Sequence, residues 1–146
     1  CTGSITMTNS QVNWSGLSDS TGTTILNLDA NSDMHLHQPS NVAIAQAVMA
    51  TGATIDEAWD MTIWVLNNNS NGIPNAYVNL TFDQFEPSID EYTNDLGTLF
   101  LPDFISRRWS NVGVSASTLV TIQCAYEIII NSTSVPLDSD RIEQCI

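Results

Sequence analysis

The sequence predicts an all-β chain, a β-sandwich entered through an extended N-terminal strand. Three observations carry that reading. Apolar residues recur with period two in most segments. Turn-forming Gly, Asn, Asp, Ser and Pro interrupt them at short intervals. The 146 residues are 42% hydrophobic with mean hydropathy near zero, enough for the core of one domain. No apolar run approaches the ~20 residues that a membrane helix needs, so no transmembrane segment is expected.

Ser4-Ile5-Thr6-Met7-Thr8 alternates, and Asn9-Ser10 breaks the pattern. Residues 1–12 are accordingly set apart as an N-terminal tail, and 13–146 as a single sandwich domain. Residues 16–22 read as a loop, 23–28 as a strand, 29–33 as a turn and 34–37 as an extended piece stopped by Pro39. Residues 41–51 carry two signals. Ser40 and Gly52 suit the ends of an alanine-rich helix, while Val42, Ile44, Gln46 and Val48 alternate with Ala43, Ala45, Ala47 and Met49. The β-rich surroundings favour strand. Residues 59–66 form a strand with Trp59, Met61, Ile63 and Val65 on one face, and 67–74 turn. Ala76, Val78, Leu80 and Phe82 then face one way, with Tyr77, Asn79 and Thr81 opposite. A turn at 93–97 leads into a strand at 98–101, and 118–130 reads as the longest strand. No internal repeat is evident.

Within this pattern, Val65-Leu66-Asn67, Asn71-Gly72-Ile73-Pro74-Asn75-Ala76-Tyr77-Val78-Asn79-Leu80, Thr93-Asn94-Asp95-Leu96-Gly97 and Leu99-Phe100-Leu101-Pro102 stand in order. They resemble the "strand, NGxPxAxVxL, strand, TxDxGxhxhP" signature of bacterial immunoglobulin-like and carboxypeptidase-regulatory-like domains. The resemblance spans about residues 59–130. It implies an immunoglobulin-like β-sandwich, a structural or adhesive module of surface proteins, and leaves function open. A looser, architectural resemblance concerns the N-terminus. An alternating strand, a loop and then a sandwich is similar to pilins built by donor-strand complementation, such as archaeal thread filaments and chaperone–usher pili. It implies that residues 2–12 complete a neighbour's sheet, with Ile5 and Met7 as inward plugs. The competing reading makes them an ordinary edge strand of their own domain.

Three cysteines, Cys1, Cys124 and Cys145, have no zinc-knuckle or redox spacing. Cys124 shares parity with Val120, Ile122, Tyr126 and Ile128, which together read as an apolar face. A Cys124–Cys145 bond would close a loop of roughly 20 residues, worth about 3 kcal/mol, and fasten the C-terminal segment. A Cys1–Cys145 bond is the alternative. Otherwise Cys1 is left for an intermolecular disulfide or for lipidation. Four sequons occur, at Asn13, Asn68, Asn79 and Asn131, on loop or polar strand positions. With a disulfide expected and no lysine in the chain, they favour an extracellular, N-glycosylated protein at the cell surface.

The net charge of -13 excludes nucleic-acid partners. Without lysine there is no Schiff-base or phosphate-loop chemistry, and no G-x-S-x-G or H-E-x-x-H motif occurs. No enzyme activity and no cofactor are expected. His35 and His37 share one strand face, which raises a periplasmic copper or zinc protein, but no third ligand stands nearby. Asp56, Glu57 and Asp60, and Asp83, Glu86 and Asp90, lack calcium-loop spacing and read as a solvated acidic surface. Arg107 and Arg108 beside Trp109 suit either an acidic neighbour in an assembly or partners within the chain. The expectation is a structural subunit of a surface filament, a homopolymer joined by β-strand donation and disulfide bonding. The alternative is a surface module anchored by lipid on Cys1, with Trp64 or Trp109 meeting glycan or protein.

Overall fold

The computed structural model of the chain describes residues 4–7, 11–15, 25–39, 42, 44–127 and 129–145; at 4–7, 11–15, 25, 129 and 141 it describes the backbone alone. Strand accounts for 60% of the chain, so the all-β sandwich class expected from period-two patterning is the class found. In order the strands are β1 (Ser4–Met7), β2 (Gln11–Ser15), β3 (Ile25–Leu28), β4 (Asp33–His37), β5 (Val48–Met49), β6 (Thr54–Val65) and β7 (Tyr77–Phe82). They continue with β8 (Ile89–Tyr92), β9 (Thr98–Ser110), β10 (Gly113–Val114), β11 (Leu119–Tyr126), β12 (Ile129–Pro136) and β13 (Arg141–Cys145).

Several elements differ from expectation. β9 runs on through Pro102 to Ser110 where a strand over 98–101 was expected, so it and not 118–130 is the longest strand, and β6 begins at Thr54 where Trp59 was expected. Residues 41–51 are not one strand: a single 3₁₀ turn, Ile44–Gln46, precedes the two-residue β5, and it buries Ile44 while Ala45, Gln46 and Val48 face solvent. The long segment 118–130 is a hairpin, because Glu127 adopts a left-handed φ of 56° and brings Ile129 opposite Tyr126. A glutamate in that conformation carries no turn signal.

The chain divides into two compact units. Unit 1 takes in Cys1–Ala58 and Ile105–Ala116, and unit 2 Trp59–Phe104 and Ser117–Ile146. Strands β6 and β9 contribute residues to both.

In unit 1 every pairing among β1 to β6 is parallel. β1, β3 and β5 form one sheet; β2, β4 and β6 run side by side in the other, which continues through β9 and β10. Consecutive strands therefore alternate between two sheets, and each strand lies beside the one two places later. The interval between partners is constant: Ser4 pairs with Ile25, Asn27 with Val48 and Asp33 with Thr54. Only the β2–β4 pairing, Gln11 with Asp33, is longer, by a single position. This is three rungs of a parallel solenoid, a repeat that the residue identities conceal. The turns repeat as well: Ser32 N–H donates to the Asp29 carbonyl, and one rung later Ala53 N–H donates to that of Ala50. Leu26 and Leu28 from one sheet and Met34, Leu36 and Ile55 from the other meet in a core that also takes in Ile44 and Ala53. Tight hairpins are unnecessary here, since parallel neighbours are joined by the whole rung.

Unit 2 is antiparallel on one side, with the sheet order β12-β11-β7-β8. Facing it are residues of β6 and β9, together with β13, which pairs parallel with β6 from Met61 to Val65. The core joins Met61, Ile63 and Val65 to Val78, Leu80, Val120, Ile122 and Leu137. Alternation along β6 and β7 is as expected: Ala76, Val78, Leu80 and Phe82 are buried and Trp59 packs at the core's margin. The two turns singled out in the sequence touch. A β-carbon on Gly72 would lie 2.0 Å from the Leu96 carbonyl oxygen, and one on Gly97 2.4 Å from the Ile73 nitrogen. Both glycines are therefore required by backbone approaching backbone.

Candidate functional site

The first rung is the feature with the clearest capacity to engage another molecule. Among the described residues β1 and β2 are each the last strand of their sheet. Ile5 and Met7 stand in register with Leu26 and Leu28, both buried, and Trp14 with Leu36. Within the single chain the segment singled out as a donor pairs with β3 and β4. Among the described residues no further strand pairs with its outer margin. Cys1 lies outside the described residues, as do the side chains of Ile5, Met7 and Asn13.

Cys124 and Cys145 form the expected disulfide, with a Cα–Cα distance of 6.3 Å. It joins β11 of one sheet to β13 of the other within unit 2. Parity placed Cys124 inward with Val120 and Ile122, and both sulfur-bearing residues are buried. Beside the disulfide is a cavity of about 480 Å³, floored by Val65, Leu66 and Ile73 and rimmed by Asn68, Tyr126 and Asn131.

The sequons occupy three different settings. Asn68 is exposed in a turn where the Asn67 side chain accepts from the backbone N–H groups of Asn69 and Asn71. Asn131 is exposed on β12 opposite Cys124. Asn79 is half-buried, and the nitrogen a glycan would occupy donates to Asp90 at 2.8 Å. The Tyr77 hydroxyl donates to the same carboxylate oxygen. These bonds, Tyr77 first and Asn79 second, hold the Asp90 carboxyl below its ordinary range, and the Asp90 bond pushes the Tyr77 hydroxyl up.

His35 and His37 share one face of β4, as parity predicts, while Met34 and Leu36 point into the core. Among the described residues no three His, Cys, Asp or Glu side chains gather to hold a metal ion. Trp64 is exposed on the face opposite Met61 and Ile63. Arg107 and Arg108 find partners inside unit 1. Arg108 grips Asp56 with both ends of its guanidinium, at 2.6 and 2.8 Å. Arg107 approaches Glu57 at 3.9 Å, and the Trp109 indole N–H donates to the same Glu57 oxygen at 3.3 Å.

Two acidic residues depart from the expected solvated surface: Asp56, whose side chain is 15% exposed in the grip of Arg108, and Glu57. Glu57 is 7% exposed, at the rung position occupied by Leu36 in the preceding rung. Arg107, Trp109, Pro39, Val42, Ile44 and Ala45 surround a recess of about 300 Å³ with it. Residue type alone gave no warning, because an Asp-Glu pair ordinarily marks a wet face. Its place one rung after Leu36 is set by the register of β4 and β6, which the sequence did not show. Among the described residues no helix is long and apolar enough to cross a membrane. No protein-family model, curated protein or solved structure matches the chain.

Proposed function

We propose that the chain is a non-enzymatic structural subunit of an extracellular, N-glycosylated surface filament, and that its first rung is the element exchanged between subunits. The observation that supports this is the state of that rung. Among the described residues β1 and β2 terminate both sheets of the solenoid in parallel register, and the pairing they make with β3 and β4 is one that a neighbour's first rung reproduces without any new surface. Exchange of this kind is open-ended, each subunit giving its rung to the next.

The composition of the edge supports the same reading. Monomeric proteins blunt exposed edges with charge or proline. Residues 1–18 contain neither, although the chain carries 16 acidic residues. Self-repulsion is therefore weakest at the end where strands would add. The immunoglobulin-like character implied by residues 59–130 belongs to this proposal too, as the scaffold that unit 2 supplies. Cys1, a few residues before β1 in the sequence, supplies an intersubunit disulfide.

A chain lacking residues 1–15 tests the proposal, since it keeps β3 and β4 but has no rung to give. It should fail to enter filaments, and a synthetic peptide of residues 1–15 should bind it and cap it. Native material should run as a ladder on non-reducing electrophoresis and collapse with reductant. A full-length chain that stays monomeric at every concentration, and a truncated chain that ignores the peptide, would overturn the proposal.

A further inference from the structure

The strand positions of β3, β4 and β6 that form the core of unit 1 are apolar: Leu26, Leu28, Met34, Leu36 and Ile55. Glu57 breaks that rule. It stands in register with Leu36 yet carries a carboxyl group, and it is only 7% exposed. A carboxylate taken out of water costs stability that a leucine would not, even when it is paired. Sites where local consistency fails in this way are where function is expected.

Glu57 also faces a space. The recess of about 300 Å³ is at the lower end of ligand-pocket sizes, room for one small ring. Its apolar wall is Pro39, Val42, Ile44 and the Trp109 ring; its polar groups are Glu57 and Arg107. Both the Arg107 guanidinium, at 3.9 Å, and the Trp109 indole N–H, at 3.3 Å, converge on one Glu57 oxygen. The Arg107 side chain is 32% exposed, so a guanidinium reaches the mouth while the carboxylate sits on the floor.

We propose that this recess binds a single neutral sugar residue of a polysaccharide or glycan. A sugar hydroxyl both donates and accepts, which suits a carboxylate beside a guanidinium. The C–H face of the ring suits an aromatic and proline wall. A free anion is repelled by the chain's charge of -13, and a free cation meets Arg107. The site is independent of strand exchange: it uses β6, β9 and the residues around the 3₁₀ turn, and none of the first rung.

The test is titration of the intact chain with glucose, galactose, mannose and N-acetylglucosamine, followed at the Trp109 indole N–H by NMR. Trp109→Phe assigns that resonance. The expected result is a saturable shift with at least one sugar, weakened about tenfold or more in Glu57→Gln and in Arg107→Gln. Trp64→Ala should bind as the parent does. Glu57→Gln keeps the shape of the side chain, and its unfolding midpoint confirms that the fold is retained. No saturable shift with any of the four sugars, a shift unchanged in Glu57→Gln, or a response to glycine and betaine in place of sugars would each overturn the proposal.

Discussion

Asn31 and Gly52 occupy the same corner of successive rungs, and both adopt a left-handed backbone, with φ of 61° and 87°. The residue after each, Ser32 and Ala53, is fully buried. One sharp corner thus recurs with two residue types that tolerate it, asparagine and glycine. A β-carbon at Gly52 meets nothing within 4 Å, so the demand there is conformational only. Gly52→Ala should cost about 1–2 kcal/mol, and Asn31→Val a similar amount, whereas Asn31→Gly should be tolerated. Urea denaturation of the three variants checks the ordering.

Gly72 poses the opposite case. Its φ lies outside the left-handed region, but its neighbour is the Leu96 carbonyl, which a methyl group would overlap. Neither backbone can yield without moving a turn. Gly72→Ala should destabilise by more than about 3 kcal/mol, beyond the range of ordinary substitutions. Thermal unfolding followed by circular dichroism would show it.

The disulfide fastens β13 across the core of unit 2. Replacing Cys124 and Cys145 together by serine should lower stability by about 2–4 kcal/mol. The same loss should appear in the parent chain on full reduction in denaturant. Peptide mapping without reductant should recover the two cysteines in one linked fragment, with Cys1 elsewhere.

The cross-strand group of Tyr77, Asn79 and Asp90 predicts a pH dependence with two limbs. Asp90 titrates lower in the folded chain than its ordinary 3.8, so its contribution is present above that value and is lost as pH falls through the lowered one. Tyr77 titrates higher than its ordinary 10.0, so its contribution is present below that value and disappears as pH rises through the raised one. Asp90→Asn should flatten the acid limb and Tyr77→Phe the alkaline limb. Denaturant midpoints measured across pH decide both.

The sequons should separate by setting. Asn68→Gln alters an exposed turn side chain and should change stability by less than about 0.5 kcal/mol. Asn79→Gln displaces the amide that donates to Asp90 and should raise the Asp90 carboxyl back toward its ordinary range. Glycopeptide mass spectrometry of native material should find Asn68 and Asn131 occupied ahead of Asn79, whose amide nitrogen is engaged.

By itself the sequence determined the features that local chemistry controls. Period two placed Val78, Leu80, Val120 and Ile122 inward, because successive strand residues must point to opposite faces. The same parity, with one cysteine near the C-terminus, anticipated the Cys124–Cys145 bond. Tertiary structure decided the rest. The solenoid of unit 1 depends on Leu28 meeting Met49 and Met34 meeting Ile55, pairings between segments a full rung apart whose members need only similar volume. Such a repeat leaves no trace in residue identity. The hairpin at Glu127 was hidden because a glutamate carries no turn signal, and the burial of Glu57 because packing around it overrode what a glutamate prefers alone.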